Sequence, residues 1–411
     1  MSHCIDLRRA LHRHPEAGFT EFFSTSLAAT ELSRQGWTLH LGQELYETAR
    51  LGIPEQPVLE AALERARAAG ADPVHLERMA GGYTGLIATM QRETGPTVTL
   101  RFDLDCVEVQ EDLDVPWKSL TPGLMHACGH DGHTAVGIEL ARRLSELPWT
   151  GCVNLVFQPA EEGVRGGSIF SQSSLLQGTD YFLSGHLGIT NDAEDTLYST
   201  VSHSMNTSKW DLTVKGESVH AALYPEQGIN ALLAAADLVV ELYRLPDNDQ
   251  TQLNVGTLTA GTGRNVVAGE AKLRAETRGS SRESHDRLNQ AFGETCREME
   301  RRHGVRISQT LAGEAIYSPP HPELCALAAG QAEAAGLRSE PKPYPMMGSE
   351  DAFYFIDRVH REGGQGAYFI FGTAIRAPHH NPMFDFNEAI LEKMVSFYTA
   401  LTRELLSAPR R

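Results

Sequence analysis

No run in this 411-residue chain is apolar for long enough to cross a bilayer, and its first nine residues, Met1-Ser-His-Cys-Ile-Asp-Leu-Arg-Arg9, lack the apolar core of an export signal. Positive charge is also scarce: 36 lysines and arginines stand against 53 aspartates and glutamates, a formal net charge of -17. That balance speaks against a nucleic-acid partner and a polybasic membrane anchor. It also means that an anionic substrate has to be met by specific cations or metal ions, against the general field. The six cysteines (Cys4, Cys106, Cys128, Cys152, Cys296, Cys325) have no paired spacing, as in a chain kept in a reducing cytosol. Repeats and low-complexity tracts are missing too. What remains is a soluble, cytoplasmic protein that acts on a small molecule.

A chain of this length outgrows one compact core, so two domains are expected. Up to residue 203, short apolar runs alternate with helical spacing. Thr97–Phe102, Cys152–Phe157 and Tyr181–Gly185 read as buried strands, with a further strand over Thr84–Met90. Helices are expected over Ile5–Arg13, Thr20–Gln35, Val58–Ala69, Thr134–Leu147 and Ser168–Leu176, and an irregular loop over Gln43–Pro57. This alternation predicts an α/β domain whose mostly parallel sheet is flanked by helices. From residue 204 to 312 the order becomes β-α-β-β-α-β, with helices over Asn230–Leu245 and Arg282–His303. That is the order of a ferredoxin-like α+β unit inserted into the first domain. Residues 313–411 then return to the first domain, through helices over Pro322–Gly336 and Glu388–Leu406 and a strand at Ala367–Phe371.

Chemistry concentrates in Met125-His-Ala-Cys-Gly-His-Asp-Gly-His133, which packs three imidazoles (His126, His130, His133), a thiol (Cys128) and a carboxylate (Asp131) into nine positions. Gly129 and Gly132 are expected to bend the backbone so that these groups converge. So dense a polar cluster needs partners, and a divalent ion serves several at once. Asp103, Asp105, Glu161, Glu162 and His186 all fall at expected strand ends, where α/β sheets gather their chemistry. His379-His380 follows the last strand. Cys128, His130, Glu162, His186 and His380, with Asp103, Asp105 and Asp131 as supporting carboxylates, are too many ligands for one tetrahedral zinc and suit two metals. Glu161 is then left as a general base for a metal-activated water.

Five motifs carry a family resemblance: residues 125–133, Phe157-Gln-Pro-Ala-Glu-Glu-Gly163, Gly261-Thr-Gly-Arg-Asn-Val-Val267, Gly348-Ser-Glu-Asp351 and His379-His-Asn-Pro-Met-Phe-Asp-Phe-Asn-Glu388. Together they resemble the metallopeptidase family of aminoacylases, carboxypeptidases and indole-acetyl-amino-acid amidohydrolases, over essentially the whole chain. The resemblance implies the same five ligands and Glu161 as base. It implies that His220, in the inserted lid domain, reaches a partner subunit's site to hold the oxyanion, and that Asn265 and Arg278 bind the substrate carboxylate. Dimerisation through the insert follows, with an identical chain or a related subunit. Manganese is implied first and zinc second. The expected substrate is an N-acyl or N-aroyl amino acid, p-aminobenzoyl-glutamate foremost and indole-3-acetyl-aspartate as the alternative. A subunit without chemistry of its own and a general aminopeptidase or dipeptidase are the rival readings. Val219 and Ala268-Gly269 depart from the family's usual residues and bear on substrate preference rather than on the ligands.

Overall fold

The computed structural model describes residues 2–188, 194–246 and 250–408. It divides into two compact units, one of Met1–Ser202, Ser318–Met346 and Asp351–Arg411, the other of His203–Tyr317 and Met347–Glu350. In chain order the first unit contributes strands β1 (Thr38–Leu41), β2 (Leu86–Arg92), β3 (Thr97–Asp103), β4 (Gly151–Gln158), β5 (Tyr181–Leu187), β6 (Thr196–Tyr198) and β7 (Val201–Ser202). The second contributes β8 (Asn206–Lys215), β9 (Thr251–Ala260), β10 (Glu270–Gly279) and β11 (Arg306–Ala315). The chain then adds β12 (Arg338–Glu340), β13 (Tyr344–Pro345) and β14 (Gln365–Gly372) to the first unit.

The eight-stranded sheet of the first unit has the order β1-β2-β4-β3-β5-β14-β6-β12. Its centre, β4-β3-β5-β14, is parallel, while β2 and β6 run antiparallel to their inner neighbours. Every residue of β5 and β14 is buried, as a strand covered on both faces requires. Side-chain alternation shows what covers each face. Phe182 stacks on Phe355 and Tyr368 meets Phe353, both from the helix Phe353–Arg361. Phe369 and Phe371 meet Phe397 of the helix Ala389–Ser407 on the other face. The helix His130–Glu146 lies on that second face, and its Gly137 sits against Phe102 and Phe157 with no room for a methyl group.

The second unit is an antiparallel sheet of order β11-β8-β10-β9. The helices Ala231–Leu242 and Arg282–His303 close its core over Leu212, Val214, Leu273 and Phe292. Asn230 caps the first helix and a Ser281–Ser284 capping box starts the second. The 204–312 reading of this unit ends short, because β11 runs on to Ala315 and the unit to Tyr317. It also omits residues 347–350, where Gly348 accepts hydrogen bonds from Met205 N (2.9 Å) and Ser204 Oγ (3.1 Å).

Other expectations shift. The helix placed over Ser168–Leu176 is one short turn, Gly167–Phe170, followed by a 3-10 turn at Ser174–Leu176. That over Pro322–Gly336 stops at Gln331, and a 3-10 turn leads to Gly336 in the left-handed region. The helix expected from Thr134 starts four residues earlier, at His130.

Candidate metal centre

Because β4, β3, β5 and β14 are parallel neighbours, their carboxyl ends share one edge of the sheet. Asp103 ends β3, with Asp105 just beyond it; β4 leads into Glu161-Glu162; His186 is the penultimate residue of β5; and the segment after β14 carries His379-His380. Facing them is the amino end of the helix that begins at His130. Gly129 precedes it at φ +87°, a conformation that favours glycine. Gly132 does not bend the chain as expected. It is helical, and a Cβ there would stand 2.9 Å from the Phe386 ring, so its small size serves close packing.

Two groups of donor atoms meet at one sulfur. Cys128, His130 and Glu162 form one group and Cys128, His186 and His379 the other, the ligand atoms of each lying within 4.8 Å of one another. Cys128 Sγ is 3.4 Å from His186 Nε2. His380 Nε2 is 3.3 Å from Glu162 Oε2. His130 Nε2 lies 3.8 Å from Glu161 Oε2 and 4.0 Å from Glu162 Oε1. All five residues expected as ligands, and Glu161, therefore fall in one contiguous cluster. His379 was not singled out by sequence reasoning, although its adjacency to His380 was the available signal. Its ring packs on His186 and Phe384, and its Nε2 is 3.3 Å from the Leu187 carbonyl.

The other two imidazoles of the motif lie outside these two groups, although His133 stacks on His130 and forms a further donor group with it and Asp103. His133 Nδ1 is 2.6 Å from Asp103, and its Nε2 accepts the Leu187 amide at 3.0 Å, which engages both ring nitrogens. His126 is fully buried, neither ring nitrogen has a hydrogen-bond partner among the described residues, and burial pushes it down to about 3.

Around the donors lies a layer of fixed charge. The two Asp105 oxygens accept the backbone N–H groups of Glu161 and Glu162, each at 3.0 Å. With Ala160 at φ +59°, this turns adjacent carboxylates, which would diverge in a strand, toward one point. Buried Arg101 joins Asp103 (2.8 Å), Asp351 (2.8 Å) and Gln158 (2.9 Å). Asp131 faces away from the donors: its Oδ2 binds Arg8 at 2.9 Å and His12 at 2.7 Å, so it anchors the helix that starts at His130 to the first helix of the chain.

Protonation follows from this setting. Burial pushes the Cys128 thiol well up and the His186 imidazole well down. Burial alone would also raise Glu162, but the hydrogen bond from His380 and the charge of His130 outweigh it and hold the carboxyl below its usual range. His130 is lowered by burial, yet the charge of Asp103 and its other partners carry it well above an ordinary imidazole. The residues fit a divalent cation. His130 Nε2 is buried with no hydrogen-bond partner among the described residues, and a thiol, imidazoles and a carboxylate surround it. A cation there takes the place of the protons on His130 and Cys128.

The three remaining site candidates lie in the second unit. His220 and Asn265 are exposed and adjacent, His220 bridging to Val266 and the Asn265 carbonyl accepting from Ala221 N at 3.0 Å. Arg278 is half-buried at the far end of β10 from the 261–269 loop, where it pairs with Glu276 at 3.0 Å. The unit does not bring Arg278 beside Asn265.

A parallel sheet with paired donor groups at its carboxyl edge defines a hydrolase of the metal-dependent peptidase and amidohydrolase class. The chain belongs to peptidase family M20/M25/M40, whose model matches residues 99–404. It is 37% identical to a p-aminobenzoyl-glutamate hydrolase subunit of Escherichia coli, over 98% of this chain and 95% of that one. It is 36% identical to indole-3-acetyl-aspartic acid hydrolase of Enterobacter agglomerans, over 93% and 91%. Among solved structures, the aminobenzoyl-glutamate utilization protein of Klebsiella pneumoniae superposes with a TM-score of 0.83 at 31% identity, covering 99% of this chain and 96% of that one. A dinuclear metal binding peptidase of Bacillus subtilis shares the fold, with a TM-score of 0.69 at 21% identity over 98% and 97%.

Proposed function

We propose that this chain is a cytoplasmic amidohydrolase that uses two divalent metal ions to cleave the amide of N-acyl or N-aroyl amino acids, p-aminobenzoyl-glutamate foremost. The observation that carries the reading is the Cys128 sulfur common to two donor groups, with the Glu161 carboxylate 3.8 Å from His130 Nε2. Indole-3-acetyl-aspartate is the second substrate, supported by the near-equal identity, 37% and 36%, to relatives named for the two reactions.

Cys128, His130, Glu162, His186 and His380 would hold the cations, manganese first by the family resemblance and zinc second, the thiolate favouring zinc while imidazoles and a carboxylate accept manganese as well. Bound divalent cations acidify a water and polarise the scissile carbonyl. Glu161 takes the proton of that water and delivers it to the departing amine. Asp105, through the two amides it holds, fixes where Glu161 points. His220 supplies a hydrogen bond to the oxyanion in a partner subunit's site and brings the adjacent Asn265 with it, while Arg278, at the other end of β10, takes the substrate carboxylate from its own subunit, so that the two meet only across the dimer.

The partner is a second copy of this chain, docked on the inserted unit. Leu233 (52% exposed), Val240 (54%) and Tyr243 (50%) from the helix Ala231–Leu242 and its C-cap, with Leu258 (42%) of β9, the edge strand of the four, leave an apolar face and an unpaired sheet edge in water. A two-fold pairing buries both at once. A different but related chain is the alternative, supported by the word "subunit" in the name of the Escherichia coli relative.

Purified protein loaded with manganese or with zinc is assayed against both conjugates, with metal content measured alongside. Release of p-aminobenzoate and glutamate supports the reading. Cleavage confined to dipeptides with free amino termini would replace it with a peptidase.

A further inference from the structure

In a chain with 53 acidic residues against 36 lysines and arginines, a guanidinium without an acidic partner calls for a reason. Two in the first unit approach the same aromatic ring, that of Phe19. Arg165 follows the Glu161-Glu162-Gly163 turn and folds back over it, its side chain occupying the space that a Cβ on Gly163 would need. Its Nη1 donates to the Gly52 carbonyl, and its Nε is buried without a hydrogen-bond partner among the described residues. Its guanidinium lies 5.2 Å from the centre of the Phe19 ring. Arg50 approaches the same ring at 5.9 Å, stacks on Tyr83 at 3.7 Å, and donates to the Gly81 and Gly82 carbonyls. Neither arginine makes an ion pair among the described residues. By contrast, Arg101 is committed to Asp103 and Asp351.

Local backbone strain coincides with this pair. Phe19 (φ +64°), Ala160 (φ +59°) and Val164 (φ +51°) are non-glycine residues in the left-handed region, all bordering Arg165 or the turn beneath it. Such conformations persist where the surroundings over-determine them, and they gather at functional sites. Here they border Arg165 and the ring that both guanidinium groups approach, beside the turn that bears Glu161 and Glu162.

We propose that Arg165, backed by Arg50, is the specificity-determining residue for a second carboxylate on the amino-acid half of the substrate. This rests on the amidohydrolase reading and narrows its substrate class to conjugates of dicarboxylic amino acids. The acyl or aroyl half is uncharged and needs no cation. A side-chain carboxylate would pair with the Arg165 guanidinium, whose one hydrogen bond among the described residues is to the Gly52 carbonyl, in a charge-assisted contact, with Arg50 adding to the field. Phe19 and Tyr83 contribute by holding the two guanidinium groups in place through their ring faces.

The test compares kcat/KM for an N-acyl-glutamate and for the matching N-acyl-glutamine, in the wild type, Arg165→Gln, Arg165→Lys and Arg50→Gln. The glutamate-over-glutamine preference is expected to fall about 10- to 100-fold in Arg165→Gln, the usual loss for a hydrogen bond to a charged group, and less in Arg50→Gln. Arg165→Lys, which keeps the charge and loses the fork, should retain part of the preference. An equal fall on both substrates, or an unchanged preference in Arg165→Gln, would overturn the assignment. Titration calorimetry of glutarate against its monoamide asks the same question without turnover. The wild type should prefer glutarate and Arg165→Gln should not; equal discrimination in the two proteins also overturns the assignment. If the wild type hydrolyses neither conjugate, the amidohydrolase reading fails, and the calorimetry alone decides the role of Arg165.

Discussion

Asp105 makes no contact that its sequence neighbours would suggest, yet it holds the amides of both Glu161 and Glu162. Asp105→Asn keeps the shape but leaves only one oxygen to accept, so one of the two amides loses its partner. Turnover is expected to fall about 10- to 100-fold with metal content nearly unchanged, as measured by steady-state kinetics and elemental analysis. Glu161→Ala should bind metal and lose about 100- to 10,000-fold in kcat; an active variant would place the base elsewhere. At this scale the sequence was readable where chemistry is concentrated in motifs. Cys128 and His130 could be named from the dense 125–133 motif, Glu161, Glu162 and His186 from expected strand ends, and His380 from the company of the other donors. What escaped notice depends on direction rather than identity. His379 and His380 are indistinguishable in a string of letters, and only the turn that puts His380 at φ +62° decides which ring meets His186 and which meets Glu162. Arg101 reads as one charge inside an apolar strand, and only the fold supplies the Asp351 that it needs.

Among the elements, the helix His130–Glu146 does most to build the site, and glycines set its position. Gly129→Ala would force an alanine to φ +87° and press its methyl group to 2.8 Å from Leu187. The left-handed backbone alone costs about 1 kcal/mol, and crowding adds on the order of 1–3 kcal/mol. A lower melting temperature and weaker metal retention on dialysis are expected; an unchanged melting temperature would mean that the turn relaxes at no cost. The central strands were legible because burial on both faces writes mostly apolar runs, broken by single polar residues, into β3, β4 and β5. The short outer strands β1, β6 and β12 have three or four residues each, too few for any period to register. The helix from Phe353 to Arg361 was passed over although it presents one apolar face, because polar residues punctuate it and its partner Phe182 lies far away in sequence.

For the molecule as a whole, the acidic interior makes stability depend on pH. Burial, and after it the charge of Asp105, push the Glu21 carboxyl from its ordinary 4.5 up to about 8. The native chain therefore keeps a proton that the unfolded chain releases, and stability drawn from this group falls as pH rises from about 4.5 through about 8. Glu21→Gln removes that slope. Its melting temperature relative to wild type should improve between pH 5 and pH 9, and a gap that stays constant would show that Glu21 ionises normally. Assembly gives a second expectation at this scale. Val240→Asp, on the exposed face of the inserted unit, should convert the proposed dimer to a monomer in sedimentation and reduce turnover by orders of magnitude, and His220→Ala should reduce turnover as much without dissociating it. A fully active monomer would remove His220 from any trans role.

The four residues 347–350 belong with the inserted unit although they begin 32 positions downstream of Ala315, the end of its last strand. Any attempt to exchange specificity between relatives by transplanting this module must therefore move two segments, 203–317 and 347–350, as one cassette. A chimera made from the first segment alone would leave Met205 and Ser204 facing a foreign loop in place of Gly348.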